Sequence, residues 1–313
     1  MSYPIDKKLV VAVSSTALFD FSKEHDLYRE KGVDEFRRYQ KDNRENIPKP
    51  STAFPFIKRL LDLNFYHEEH PFEVVILSRN HADAGLRVMD AIKHYKLDIT
   101  RAFFLAGQLP YRYMESLDSV LYLSTNKSEV QHAVNQGYPA GYVLPCVTTS
   151  VDENEQLRIA FDFDGVIVDD EAERVYKDTK NLDLFHQREE RFREMPLKEG
   201  PLMPLLLKIS EFQKLERQKA QANDKYTQML RISIVTARNA PSHERLITTL
   251  ENAGIDTDEL FLLGGIEKKR VLDVLKPHIF FDDQLGHLEP AAESTPSVHI
   301  PFGIANIEDR GIK

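Results

Sequence analysis

The chain has 313 residues, with Lys+Arg 41 against Asp+Glu 50 and a formal net charge of −9. That balance excludes a general nucleic-acid-binding surface and leaves room only for a local basic pocket. The 42% hydrophobic content excludes a disordered chain and is enough to fill one large domain or two ordinary ones. The single cysteine, Cys146, excludes an intrachain disulfide and fits a reducing compartment. No apolar run, the N-terminal one included, has the length of a signal or membrane segment, so a cytoplasmic chain without membrane contact is expected. The oligomeric state cannot be read from these features.

In chain order, "KLVVAVSS" (8–15) reads as a strand, and "STAFPFIKRLLDLN" (51–64) opens a helix with Ser51 or Thr52 as N-cap. "FEVVILS" is a strand and "ADAGLRVMDAIKHY" a helix; "AFFLAG" and "SVLYLST" are strands, and "KSEVQHAVNQG" is a helix stopped at Gly137. A polar link near 150–156 follows, and then "LRIAFDFD", "RISIVTA", "ELFLLGG" and "HIFFDDQ" are strands with helices between them. Near-continuous apolar strands alternating with helices predict an α/β fold with a parallel sheet covered on both faces. The segment 177–230 is charged and helical, and "KLERQKAQANDK" within it reads as solvated helix or loop.

The two halves repeat. Ala12–Tyr28 lies over Ala160–Tyr176 at an offset of 148, while Ser78 over Thr236, Phe103 over Phe261 and Leu121 over Ile279 share an offset of 158. A constant offset across three elements favours duplication over the general sameness of α/β chains. The expected organisation is a first half, 1–150, and a second half, 151–313, with a helical cap inserted at about 169–230. Where the second half has Asp162 and Asp164, the first has Ser14 and Thr16. Opposite Asp282 and Asp283 it has Ser124 and Thr125. The first half is therefore expected to hold no acidic centre, to buttress the core and to form one wall of a pocket through residues such as Ser14, Asn80 and His81, although Asn80 and His81 read first as turn residues.

Parallel α/β sheets bind ligands at the carboxyl ends of their strands. "DFDG" (162–165), Thr236 in "VTAR" and Asp282-Asp283 all stand at such ends. Clustered carboxylates repel one another unless a cation joins them, and an all-oxygen set suits Mg²⁺ together with a phosphate. A carboxylate can also attack phosphorus. Gly165 permits a sharp turn that would aim backbone N–H groups at the phosphate. "HEEHP" (67–71) lacks metal-motif spacing and reads as a surface loop, and Cys146 as a passive buried thiol.

"DFDGV", "VTAR", a lysine before a helix, and "FFDD", in that order, resemble the four motifs of the haloacid dehalogenase-like phosphatases. "VAVSSTALF", "NHADAGLRV", "AFDFDGVIVDDEAERV", "VTARNAPSHERLITTL" and "KPHIFFDDQ" resemble the cytosolic 5′-nucleotidase I family over nearly the whole chain. The resemblance implies a Rossmann-like phosphatase fold and a Mg²⁺-dependent 5′-nucleotidase acting on AMP-like monophosphates. It casts Asp162 as nucleophile and Asp164 as acid and base, with its carbonyl on the metal. Thr236 and Lys268 (or Lys269) would stabilise the phosphoryl group, and Asp283, supported by Asp282, would hold Mg²⁺. Gly165, Ala237 and Arg238 are further substrate-binding candidates. Two alternatives stand beside it: a phosphatase or phosphotransferase for another small phosphate ester, and a low-turnover nucleotide-binding regulator.

Overall fold

The computed structural model describes residues 3–146 and 156–306, so the expected polar link, Gln156 apart, lies outside the described residues. The strands are β1 Leu9–Val13, β2 Phe72–Ser78, β3 Arg101–Phe104, β4 Ser119–Ser124, β5 Ala140–Val143, β6 Leu157–Phe161, β7 Leu230–Thr236, β8 Glu259–Leu262, β9 Ile279–Asp282 and β10 Ser297–His299. The helices of the first half are α1 Ser15–Leu18, α2 Ser22–Asp42, α3 Phe54–Asp62, α4 Ala82–His94 and α5 Lys127–Asn135. Those of the second are α6 Glu171–Thr179, α7 Leu182–Arg191, α8 Met203–Ala222, α9 His243–Asn252, α10 Lys268–Leu275 and α11 Leu285–Ala291.

All the strands join one ten-stranded sheet in the order β3-β2-β1-β4-β5-β10-β9-β6-β7-β8. Every neighbouring pair is parallel except β5 with β10, which run antiparallel. The fold is thus α/β with a mostly parallel, Rossmann-like sheet, as the apolar strand runs require. Each strand expected from the sequence forms; the short β5 and β10 are additional. The N-cap expected of Ser51 or Thr52 does not form. The helix begins at Phe54 without a side-chain cap, and Thr52 Oγ1 instead accepts from the Cys146 amide at 3.1 Å.

Each half, taken alone, orders its strands third, second, first, fourth, fifth. Loop hydrogen bonds recur as well. Ala53 N donates to Ala17 O as Leu202 N does to Val166 O, and Leu105 N to Ser78 O as Leu263 N does to Thr236 O. Even a bend recurs: α2 kinks at Gly32 (φ 80°), and Lys180 (φ 48°), 148 positions later, separates α6 from α7.

One face of the sheet carries a core common to both halves, in which Val11 and Val13 share a cluster with Ile159 and Phe161 under α3 and α8. The other face divides into two clusters, one around Val10, Ala12 and Tyr122, the other around Ala160, Val235 and Phe280. Burial of both faces along the inner strands removes any period-two polarity from them, which is why they read as unbroken apolar runs, while the edge strands β3 and β8 are only partly buried. Within the expected cap region, α6 and α7 touch the shared core through Ala172 and Phe185. Much of α8 belongs to the shared core through Leu205, Leu206, Ile209 and Phe212, and the "KLERQKAQANDK" stretch contributes the fully buried Glu216.

Candidate active site

Strand β6 delivers Asp162 to the carboxyl edge of the second half. There its Oδ1 accepts the Phe163 amide at 2.7 Å, and the residue is 4% exposed. Gly165 turns the chain with φ 71°; a Cβ at this position would meet Asp283 Oδ2 at 2.6 Å, so only glycine lets the turn lie against that carboxylate. Strand β9 ends at Asp282, with Asp283 directly after it. Lys268, the first residue of α10, is buried, with Nζ 2.8 Å from Asp162 Oδ2 and 2.7 Å from Asp282 Oδ2. Lys269 turns outward to Asp273 at 3.2 Å. Of the two candidate lysines, Lys268 is the one at the acidic centre.

Burial pushes the Asp162 carboxyl up to about 7, although the Lys268 ammonium pulls it down. Burial also acts on Asp282, but there Lys268 and His287 prevail and its carboxyl lies below the usual range. Burial works against the Lys268 charge, yet Asp162 and Asp282 outweigh it and hold the ammonium firmly protonated. Asp283 differs. It is fully buried, both its carboxylate oxygens lack a hydrogen-bond partner, and burial with the nearby Asp162, Asp282 and Glu173 charges pushes it to about 10. A buried carboxylate that points at other carboxylates with no donor of its own is the arrangement a hard cation completes. The residues present therefore fit a divalent metal. Asp162, Asp282 and His287 also offer ligand atoms within 4.8 Å of one another, although Lys268 already sits between the two aspartates.

Thr236 ends β7 beside this centre. It is buried, and its hydroxyl accepts the Arg238 amide at 3.2 Å; Ala237, between them, is exposed. Asp164 does not contact Lys268; its carboxylate meets Arg238, with both contacts at 2.7 Å. The structure thus brings Asp162, Asp164, Gly165, Thr236, Ala237, Arg238, Lys268, Asp282 and Asp283 to one sheet edge.

Ser14, Asn80 and His81 are not brought there. They follow β1 and β2, which run opposite to β6 because of the antiparallel β5–β10 junction, so they lie at the other edge of the sheet. Ser14 caps α1 by accepting the Ala17 amide at 3.1 Å, Asn80 donates to Ser15 Oγ at 3.2 Å, and His81 pairs with Arg37 at 2.9 Å.

Three residues at the site were not singled out in the sequence. His287 Nδ1 lies 3.3 Å from Asp282, Glu173 of α6 accepts Gln284 Nε2 at 3.1 Å, and Glu189 of α7 takes Arg238 and Arg245. Glu189 stands in "FHQREERFREM", a charged helical run within the expected cap in which no single charge is marked out. The one available signal was Arg245, which repeats Arg87 at the 158 offset; Arg87 is likewise buried and paired with Glu24.

The description of the family model that matches residues 1–307 is 5′-nucleotidase. Among curated proteins, the chain is 32% identical over 290 residues to cytosolic 5′-nucleotidase 1B of Homo sapiens, an alignment covering 90% of this chain and 47% of that protein. The chain therefore spans about half the length of the curated relative it matches. No solved structure matches it. Among the described residues, no helix is long and apolar enough to cross a membrane.

Proposed function

The chain belongs to the 5′-nucleotidase family, and from that premise we propose that it hydrolyses nucleoside 5′-monophosphates, AMP-like ones first, to nucleoside and phosphate in the cytosol. The observation that carries the reading is the buried chain Asp162–Lys268–Asp282, with contacts of 2.8 and 2.7 Å. Simple binding would not require a buried nucleophile held against an ammonium.

In this reading the Asp162 carboxylate attacks phosphorus and becomes an aspartyl-phosphate. Asp164 gives a proton to the departing ribose oxygen, then takes one from the water that releases phosphate. Lys268 and the Thr236 hydroxyl meet the charge that develops on the phosphoryl oxygens. Asp162, the Asp164 carbonyl and Asp283, with Asp282 in support, would hold Mg²⁺. That ion supplies charge neutralisation, letting the carboxylates and the phosphate occupy one buried space.

The inserted helices α6 and α7 cover the same edge, a position suited to excluding water during transfer. The recurrent strand order and hydrogen bonds support a duplicated ancestry, with residues 1–150 as the copy that lost its acidic residues and now buttresses the core.

A phosphate-release screen over the nucleoside monophosphates and a set of sugar phosphates, with and without Mg²⁺, tests the reading. Metal-dependent release from nucleotides above sugar phosphates is expected. Equal rates on sugar phosphates would point to the broader phosphatase, and no release from any ester would leave a nucleotide-binding role in its place.

A further inference from the structure

Asp164 is held by an arginine that is itself held by Glu189 of α7 and by the Ser242 carbonyl. Arg238 Nε and Nη2 donate to Oδ2 and Oδ1 of Asp164, both at 2.7 Å, so the guanidinium grips both carboxylate oxygens in its plane. Its remaining nitrogen, Nη1, donates to Glu189 Oε2 at 2.5 Å and to the Ser242 carbonyl at 3.1 Å. The other oxygen of Glu189 accepts Arg245 Nη1 at 2.9 Å. Arg238 is 4% exposed, Arg245 4% and Glu189 1%.

Two guanidiniums and two carboxylates thus neutralise one another; Arg238, Arg245 and Glu189 are buried, where an unpaired charge would be costly, while the Asp164 side chain, 18% exposed, stays in reach of water. The four come from separate elements: the turn after β6, the turn after β7, α7 and α9. Four of the five N–H groups of Arg238 are thereby engaged within the protein.

We propose that Arg238 and Glu189 are positioning residues for Asp164, so that proton transfer to and from the leaving oxygen depends on where α7 lies. This rests on the reading of Asp164 as the acid and base. In the first half-reaction Asp164, protonated on one oxygen while the other stays on the guanidinium, passes that proton to the ribose 5′ oxygen as the bond from that oxygen to phosphorus breaks and the bond to Asp162 forms. In the second, Asp164 takes a proton from water as the water oxygen bonds phosphorus and the Asp162–phosphorus bond breaks. Both steps need one carboxyl aimed at one point. A planar fork fixes its orientation in a way a single point charge does not. Glu189 fixes the fork in turn, and a displacement of α7 is therefore transmitted to Asp164 through two hydrogen-bonded contacts.

The test compares Glu189→Gln and Arg238→Lys with Asp164→Asn on two substrates. One is a nucleoside monophosphate, whose alkoxide leaving group needs the proton. The other is 4-nitrophenyl phosphate, whose phenolate leaves without it. Misplacing a general acid forfeits part of the roughly 10²–10⁴-fold that such catalysis supplies. The expected result is a kcat/KM, which reports the steps up to the aspartyl-phosphate and not its hydrolysis, lower by about 10–100-fold on the nucleotide but by less than about 3-fold on the aryl phosphate. A role confined to folding would lower both rates together. Equal losses on the two substrates, beside an Asp164→Asn that does discriminate between them, would overturn this proposal alone. An Asp164→Asn variant without discrimination would remove the acid–base reading on which it stands. If Arg238→Lys does not fold, Glu189→Gln, which keeps the shape but turns one of the two acceptors into a donor, decides by itself.

Discussion

Val298 pairs with Val143 in antiparallel register, and this contact joins two five-stranded half-sheets back to back. Each half is parallel within itself, so the pairing turns their carboxyl edges to opposite sides. The acidic centre after β6 and β9 and the hydroxyl cluster after β1 and β4 occupy matching positions in the repeat but opposite edges of the molecule. In the first half the hydroxyls bond to one another: Thr125 Oγ1 donates to Thr16 at 2.6 Å, and Ser14 and Thr16 lie 3.2 Å apart.

Ser14→Ala is therefore expected to leave kcat and KM within about twofold of wild type while lowering stability by about 1 kcal/mol through the lost α1 cap. Steady-state kinetics and denaturant unfolding on the same preparation check both numbers. A kcat loss comparable to that of a change at Asp162 would mean that the far edge takes part in the chemistry.

Asp162→Asn is expected to retain the fold and lose at least about a thousandfold in kcat, since an amide cannot form the acyl phosphate. Lys268→Met should also be severely impaired, and in addition destabilised, because it leaves Asp162 and Asp282 as a buried carboxylate pair without their cation. Phosphate release and thermal unfolding separate the two effects. A tenth of wild-type activity in Asp162→Asn would be enough to reject it as nucleophile.

Most of the sheet could be read from the sequence because its strands are buried on both faces and announce themselves as apolar runs. The repeat was readable too, since the offsets that align "VILSRN" with "SIVTAR" also align the hydrogen bonds after those strands. The junction was not. Strand β5 is only Ala140–Val143 and β10 only Ser297–His299, too short and too mixed to stand out from loops. Without them nothing indicated that the halves oppose each other and that Ser14, Asn80 and His81 follow strands ending at the edge away from Asp162. At the site, Asp162, Lys268 and Asp282 were legible because motif order places them. Glu189 was not, because it neighbours Arg188, Glu190 and Arg191, and local charge patterning cannot say which of four charges turns inward.

Removing the metal should expose what the Asp283 carboxylate contributes. With both oxygens buried and unpartnered among acidic neighbours, the side chain is a liability in the absence of a cation. Asp283→Asn is expected to unfold at a higher temperature than wild type in EDTA. Mg²⁺ should raise the wild-type melting temperature by linkage and the variant's far less. Melting curves with and without the ion suffice. Equal Mg²⁺ shifts in both proteins would show that the ion binds without Asp283, and a less stable variant in EDTA would contradict the strain.

The packing of α8 against the first half should make stability depend on pH through His67. Its Nδ1 lies 2.8 Å from Lys219 Nζ, and its ring packs edge-on to Phe212 with centroids 4.6 Å apart. Burial, and then the Lys219 charge, hold the imidazole down to about 4. Lys219 has only protons to give, so Nδ1 must accept and the folded ring is neutral. In the unfolded chain the same ring takes its proton near 6.5. Below that pH the unfolded state binds a proton that the folded state refuses, so the His67 contribution is fully present above about 6.5 and is lost as pH falls toward about 4. Between pH 7 and 5 one such proton amounts to at most roughly 2 kcal/mol. His67→Phe is expected to be less stable at pH 7, where Lys219 keeps the Tyr66 carbonyl but loses the His67 acceptor, and to show a shallower decline on acidification. Urea unfolding of both proteins at several pH values between 7 and 5 measures the difference in slope. Parallel curves would mean that His67 is as easily protonated in the fold as outside it, and that the α8 contact does not depend on its neutrality.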